Sequence, residues 1–137
     1  MSAEAFRNKK VSEVMEKGAT INQNKDIATG FLLLRGISSD LVGVTDDQNK
    51  LVGVTTRDRL TYAITDENKD KNNKLKDAMY AKPVTVKPDQ TIDEVIKVLN
   101  QQQFDKLPVV NADGQMIGAI SRKGMLSKLA ANLKIQL

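Results

Sequence analysis

The chain contains one unit twice. Displaced along itself by 65 residues, Thr20, Ile27, Leu34, Asp40, Val44, Gly53 and Arg57 fall on Thr85, Ile92, Leu99, Asp105, Val109, Gly118 and Arg122. Ile21/Val86, Leu33/Val98, Leu51/Met116, Val52/Ile117, Thr56/Ser121 and Leu60/Met125 are conservative partners in the same register. The leading segments 11–15 and 75–79 match at an offset of 64. A repeat of this length is a whole supersecondary unit, and such a unit cannot bury its apolar face alone. Two copies therefore imply two half-domains that cover each other, with a cleft on a pseudo-twofold axis.

The signals within each copy run in the same order. Residues 1–10 are polar with a basic end (Arg7, Lys9, Lys10) and read as a loose N-terminal arm or short helical lead-in. Copy 1 spans 11–65, a linker without any apolar residue spans 66–74, and copy 2 spans 75–137. Each copy opens with a short helical piece and a brief strand, at 19–21 and 84–86. An amphipathic helix follows: Ile92, Val95, Ile96 and Leu99 keep helical spacing behind a Thr91/Glu94 capping box, and Ile27, Phe31 and Leu34 lie behind Asp26 as N-cap. Two Val/Ile-rich runs bounded by turn residues then predict a hairpin, at 41–44 with 51–54 and at 107–110 with 116–120. A closing helix carries Leu60, Ala63 and Ile64 in copy 1, and Met125, Leu126, Leu129 and Leu133 in copy 2. The fold class is α/β (α+β), built as helix–strand–helix–strand–strand–helix, twice.

Composition narrows the chemistry. The chain has no cysteine and no histidine, which excludes disulfides, thiolate zinc sites, histidine general bases and histidine metal ligands. No catalytic role is expected. Net charge is +4, but the cations are interspersed with acids and only five aromatic residues are present, so nucleic acid is not the expected partner. The positive bias favours a small anionic ligand. No apolar run approaches the ~20 residues that span a bilayer, and no secretory signal opens the sequence, so a cytoplasmic protein is expected.

The Val-x-x-Val-Met opening, the Leu-Val-Gly-Val-Thr strand of residues 51–55 that runs into a helix, and the segments 106–111 and 114–121 give the duplicated order a familiar form. It resembles the cystathionine-β-synthase (CBS) domain, of which two in tandem make a Bateman module. The resemblance covers residues 11 to about 134 and departs at Gly43, where copy 2 has Pro108. It implies two repeats packed sheet to sheet around two clefts, adenosine-containing ligands (AMP, ADP, ATP or S-adenosylmethionine), no required cofactor, homodimerisation, and regulation of a separate client protein. The alternative is a structural or dimerisation module with an empty or vestigial cleft.

The resemblance also implies where a ligand would sit. Its ribose signature, Ser/Thr-x-x-Asp at the last strand–helix junction, is met by Thr55 and Asp58, with Thr56 and Arg57 between them. This match requires the strand of copy 1 to end one residue early, because by repeat Thr56 pairs with Ser121, and Arg59 rather than Asp58 falls opposite Gly124. Asp58 would accept from the ribose hydroxyls; its alternative is a helix cap or solvated charge. In copy 2 Gly124 stands where the acid belongs, and Ser121, Arg122 and Lys123, with Arg57 of copy 1, are the phosphate candidates. The adenine slot would be formed by Gly18, Ala19 and Thr20 with Val42 and Gly43, and by Lys82, Pro83 and Val84 with Leu107 and Pro108. Gly18 reads equally well as a helix C-cap, and Val42 and Leu107 as core.

Overall fold

A computed structural model describes residues 2–36, 41–66 and 73–133. Asp40 and most of the 66–74 linker lie outside them. The elements are α1 (Ala3–Arg7), α2 (Val11–Val14), β1 (Ala19–Asn22), α3 (Ile27–Arg35), β2 (Leu41–Thr45), β3 (Leu51–Thr56) and α4 (Arg57–Thr65). A 3₁₀ turn (Leu75–Asp77) follows, then β4 (Tyr80–Ala81), α5 (Ile92–Leu99), β5 (Lys106–Val110), β6 (Met116–Ser121) and α6 (Arg122–Leu133). The mixed α/β class and the duplicated order are those expected.

Two compact units form, and they cut the chain differently from the duplication. Unit 1 gathers residues 1–17, 84–112 and 117–137; unit 2 gathers 18–83 and 113–116. Each unit thus takes its lead-in from one copy and its body from the other.

In unit 2 the described strands lie in the order β1-β2-β3-β4. β1 runs parallel to β2, with Ala19 opposite Val42 and Thr20 opposite Gly43. The 41–45 and 51–56 runs pair antiparallel as the predicted hairpin, with Leu41 opposite Thr56 and a register shift between Val44 and Thr45. Every residue of β2 is buried, as its Leu-Val-Gly-Val composition requires of a central strand. Asp26 caps α3 by accepting from the Thr29 N–H at 2.7 Å. Ile27, Leu34, Val42, Val44, Leu60 and Ala63 form the core together with Leu75 and Ala78 from the lead-in of copy 2.

Unit 1 repeats the plan with fewer strand pairs. β5 and β6 form a two-stranded sheet, and the strand expected at 84–86 contracts to one parallel bridge between Val86 and Val109. Lys82 sits at φ 53 and Pro83 has no N–H to donate, so the chain turns before it can run beside β5. Thr91 caps α5 by accepting from the Glu94 N–H at 3.2 Å, while its hydroxyl lies 3.3 Å from the Glu94 carboxylate. Residues 1–10 are not a loose arm. Ser2 caps α1, and Phe6, at 3% exposure, joins Val11 and Val14 in a core with Val86, Ile92, Val95, Leu99, Leu107, Val109, Ile120 and Met125.

The two lead-ins dock in the same way. Lys10 bridges Thr91, the N-cap of α5, and Lys74 bridges Asp26, the N-cap of α3. Farther along, Met15 and Glu16 lie against Gly118 and Ala119 of β6, and Met79, Tyr80 and Ala81 lie against Gly53 and Val54 of β3. A β-carbon on Gly118 would stand 2.8 Å from the Met15 sulfur and 2.9 Å from the Glu16 carbonyl oxygen. On Gly53 it would stand 2.5 Å from the Met79 sulfur and 2.9 Å from the Tyr80 carbonyl oxygen. The glycines allow this close backbone approach in both units.

Candidate functional site

In unit 2, β3 delivers the chain into α4 through Thr56. Its hydroxyl accepts from the Arg59 N–H at 3.1 Å and caps the helix. The strand does not end one residue early, so Thr55 is a strand residue: fully buried, with its hydroxyl donating to the Ala78 carbonyl at 3.1 Å. That side chain is satisfied by the core and is not presented to a ligand. Asp58 is the second residue of α4, exposed, with no hydrogen bond or ion pair among the described residues. Arg57 points elsewhere. Its guanidinium donates to the Leu34 carbonyl at 3.2 Å, in the last turn of α3, where a cation complements the helix dipole.

In unit 1, β6 delivers the chain into α6 through Ser121, whose hydroxyl accepts from the Gly124 N–H at 2.9 Å. Arg122 repeats the role of Arg57. It donates to the Asn100 side chain at 3.0 Å, at the C-terminal end of α5, and pairs with Asp105 at 3.0 Å. Lys123 is exposed. The expected phosphate group of Ser121, Arg122 and Lys123 is therefore not gathered, because the arginine is held by Asn100 and Asp105. A carboxylate stands there instead: Glu16 accepts from the Ser121 hydroxyl at 3.3 Å and pairs with Lys106 at 3.2 Å.

The expected adenine-contacting residues divide into wall and rim. Val42 and Leu107 are core, at 1% and 2% exposure, and Pro108 is buried with its carbonyl accepting from the Val86 N–H. Gly43 has no free space above it: a β-carbon there would lie 2.5 Å from the Met116 sulfur and 2.9 Å from a Leu51 methyl. Gly18 is exposed and is not the helix cap, since Met15 ends α2. Thr20, Lys82 and Val84 are exposed, and Ala19 and Pro83 are half-buried. Lys82 and Pro83 belong to unit 2 and Val84 to unit 1. An open, polar depression of about 470 Å³ lined by Thr85, Lys87, Asp89, Gln90 and Glu94 involves none of these residues.

Two features escape a reading of the sequence. Arg59 lies with its guanidinium 4.5 Å from the centre of the Tyr80 ring, a cation–π contact between the first turn of α4 and β4. Glu16 reaches the start of α6 from the lead-in of the other copy. The signal for both was the repeat register, which pairs Arg59 with Gly124 and Glu16 with Tyr80, but only the exchange of lead-ins brings these pairs together.

Residues 75–131 match the family model of the CBS domain. The crystal structure of the CBS-pair protein CBSX2 from Arabidopsis thaliana is 22% identical, covers 94% of this chain and 99% of its own, and superposes with a TM-score of 0.81. CBSX2 in complex with AMP is 24% identical over 91% of this chain and 98% of its own, with a TM-score of 0.79. The CBS domain pair of protein MJ0100, in complex with 5′-methylthioadenosine and S-adenosyl-L-methionine, is 20% identical over 91% and 98%, with a TM-score of 0.77. The chain is a tandem CBS module: residues 75–131 carry the sequence of a CBS domain, and the fold is that of CBS-pair proteins. Among curated relatives, homoserine O-acetyltransferase of Methanococcus vannielii is 27% identical over 93% of this chain and 26% of its own. Inosine-5′-monophosphate dehydrogenase of Methanocaldococcus jannaschii is 28% identical over 88% and 23%. The chain spans about a quarter of the length of these two relatives. Among the described residues, no helix is long and apolar enough to cross a membrane.

Proposed function

We propose that this chain is a regulatory module that binds an adenosine-containing small molecule, acting by binding rather than by reaction. The observation that carries this reading is Asp58. It is an exposed carboxylate with no protein partner among the described residues, at the start of α4, on a fold shared with proteins solved in complex with AMP and with S-adenosyl-L-methionine. Both of its oxygens remain available to accept from a vicinal diol such as ribose. The edges of Gly18, Thr20 and Lys82 are open to solvent beside the buried walls of Val42 and Leu107, the mixture of apolar surface and backbone donors that a purine requires. In this reading the module works as a homodimer in the cytoplasm and passes its ligand state to a client protein, and no metal or cofactor is needed.

A second reading has specific support. Arg57 and Arg122 are engaged at helix ends, and Met116 fills the space above Gly43. These are features of a structural or dimerisation module that has lost its ligand. A thermal-shift screen separates the two. A ligand at a hundred times its dissociation constant stabilises the native state by about 2.7 kcal/mol, which raises the melting temperature of a domain this size by several degrees. At least one of AMP, ADP, ATP, S-adenosylmethionine and NAD is expected to do so. No shift with any of them selects the structural reading.

A further inference from the structure

The starts of α4 and α6 occupy the same place in the duplicated unit, yet they carry opposite chemistry. In unit 2 the lead-in contributes Tyr80 and the third helical residue is Arg59, whose guanidinium stacks on that ring. In unit 1 the equivalent lead-in residue is Glu16 and the equivalent helical residue is Gly124. One Glu16 oxygen lies 3.2 Å from the Lys106 ammonium and 3.3 Å from the Ser121 hydroxyl. The other lies 3.5 Å from where a β-carbon of Gly124 would stand, over the first turn of α6. The absence of a side chain at 124 is what lets the carboxylate lie there.

We infer that Glu16 is a specificity-determining residue that bars anionic groups from the start of α6, so that a phosphorylated ligand is directed to the Arg59–Tyr80 end of unit 2. This deepens the proposed adenosine-binding function and rests on it. The positive features at the start of α6 are the helix dipole and Lys106, and the Glu16 carboxylate faces both. Arg122 is turned away onto Asp105 and Asn100 and does not offset that charge. A phosphate entering here would meet a half-exposed carboxylate at close range, a repulsion sufficient for about a tenfold loss of affinity at an interface dielectric. A neutral ligand meets no such barrier. In unit 2 the same approach leads to a guanidinium with no ion pair among the described residues.

The test is calorimetric titration of the full chain with AMP and with adenosine, on the wild type, Glu16→Gln and Tyr80→Glu. Glu16→Gln keeps the shape and the contact with Ser121 but removes the charge. It is expected to add a second AMP equivalent per chain, bound at least about tenfold more tightly than any second equivalent in the wild type, with adenosine unchanged. Tyr80→Glu places a carboxylate at the equivalent position of unit 2 and is expected to weaken AMP about tenfold relative to adenosine. This second variant decides the matter even if Glu16→Gln fails to fold. Wild-type binding of AMP with isotherms unaltered by either substitution overturns the role of Glu16 alone. Failure of every chain to bind either compound overturns the adenosine-binding function, and this inference with it.

Discussion

Gly53 and Gly118 leave no room for a β-carbon. A carbonyl oxygen lies 2.9 Å from its ideal position in each case, and a backbone atom cannot rotate away as the neighbouring methionine sulfur can. Gly53→Ala and Gly118→Ala are each expected to lower stability by about 1–3 kcal/mol, read as a reduced denaturation midpoint at unchanged slope. Asp26 makes a pH-dependent contribution of known sign. Its hydrogen bonds with Thr29, reinforced by Lys25, hold its carboxyl below the ordinary value of 3.8. A depressed folded value means that the contribution is complete above the unfolded value and is lost as pH falls below 3.8. The stability difference between wild type and Asp26→Ala should therefore be constant near neutrality and shrink on acidification, measured by denaturant midpoints across that range. Caps such as Asp26 and Thr91 were legible in the sequence because an N-cap is decided within four residues. Arg57 and Arg122 were misleading for the opposite reason. Their partners, Leu34 and Asn100, lie more than 20 residues away, so a phosphate clamp and a helix-end latch look alike along the chain.

At the scale of elements, the helices and hairpins followed from periodicity and turn residues, whereas the exchange of lead-ins did not. Nothing local in residues 11–15 tells which body they will join, since both bodies are built to receive such a segment. β4 is two residues long and exists only because Tyr80 and Ala81 meet Val54 and Gly53. Leu75, fully buried in unit 2, carries the same message energetically. Leu75→Ala is expected to cost about 2–5 kcal/mol, as large-to-small changes in a packed core do, although Leu75 lies outside copy 1. A fragment of residues 1–66 keeps the copy 1 lead-in without the body of unit 1, and the copy 1 body without Leu75, Ala78 and β4. It should not fold as a monomer. A well-dispersed monomeric NMR spectrum from that fragment would contradict the exchange.

For the whole molecule, the duplication and its likeness to CBS domains carried the fold class, and the register of one strand decided how much of the site survived. Thr55 is consumed by the core and Thr56 by the helix cap, which leaves Asp58 as the free acceptor of the expected ribose pair. The account rests on one adenosine compound bound per chain through that carboxylate. Asp58→Ala should weaken binding about ten- to a hundredfold, the worth of charge-assisted hydrogen bonds from a sheltered diol. Native mass spectrometry of the full chain with AMP and with S-adenosylmethionine counts the bound molecules directly. The account predicts one molecule per chain for at least one of the two compounds, and its loss in Asp58→Ala at the same concentration. Two equally bound molecules per chain, or binding undiminished in Asp58→Ala, would contradict it.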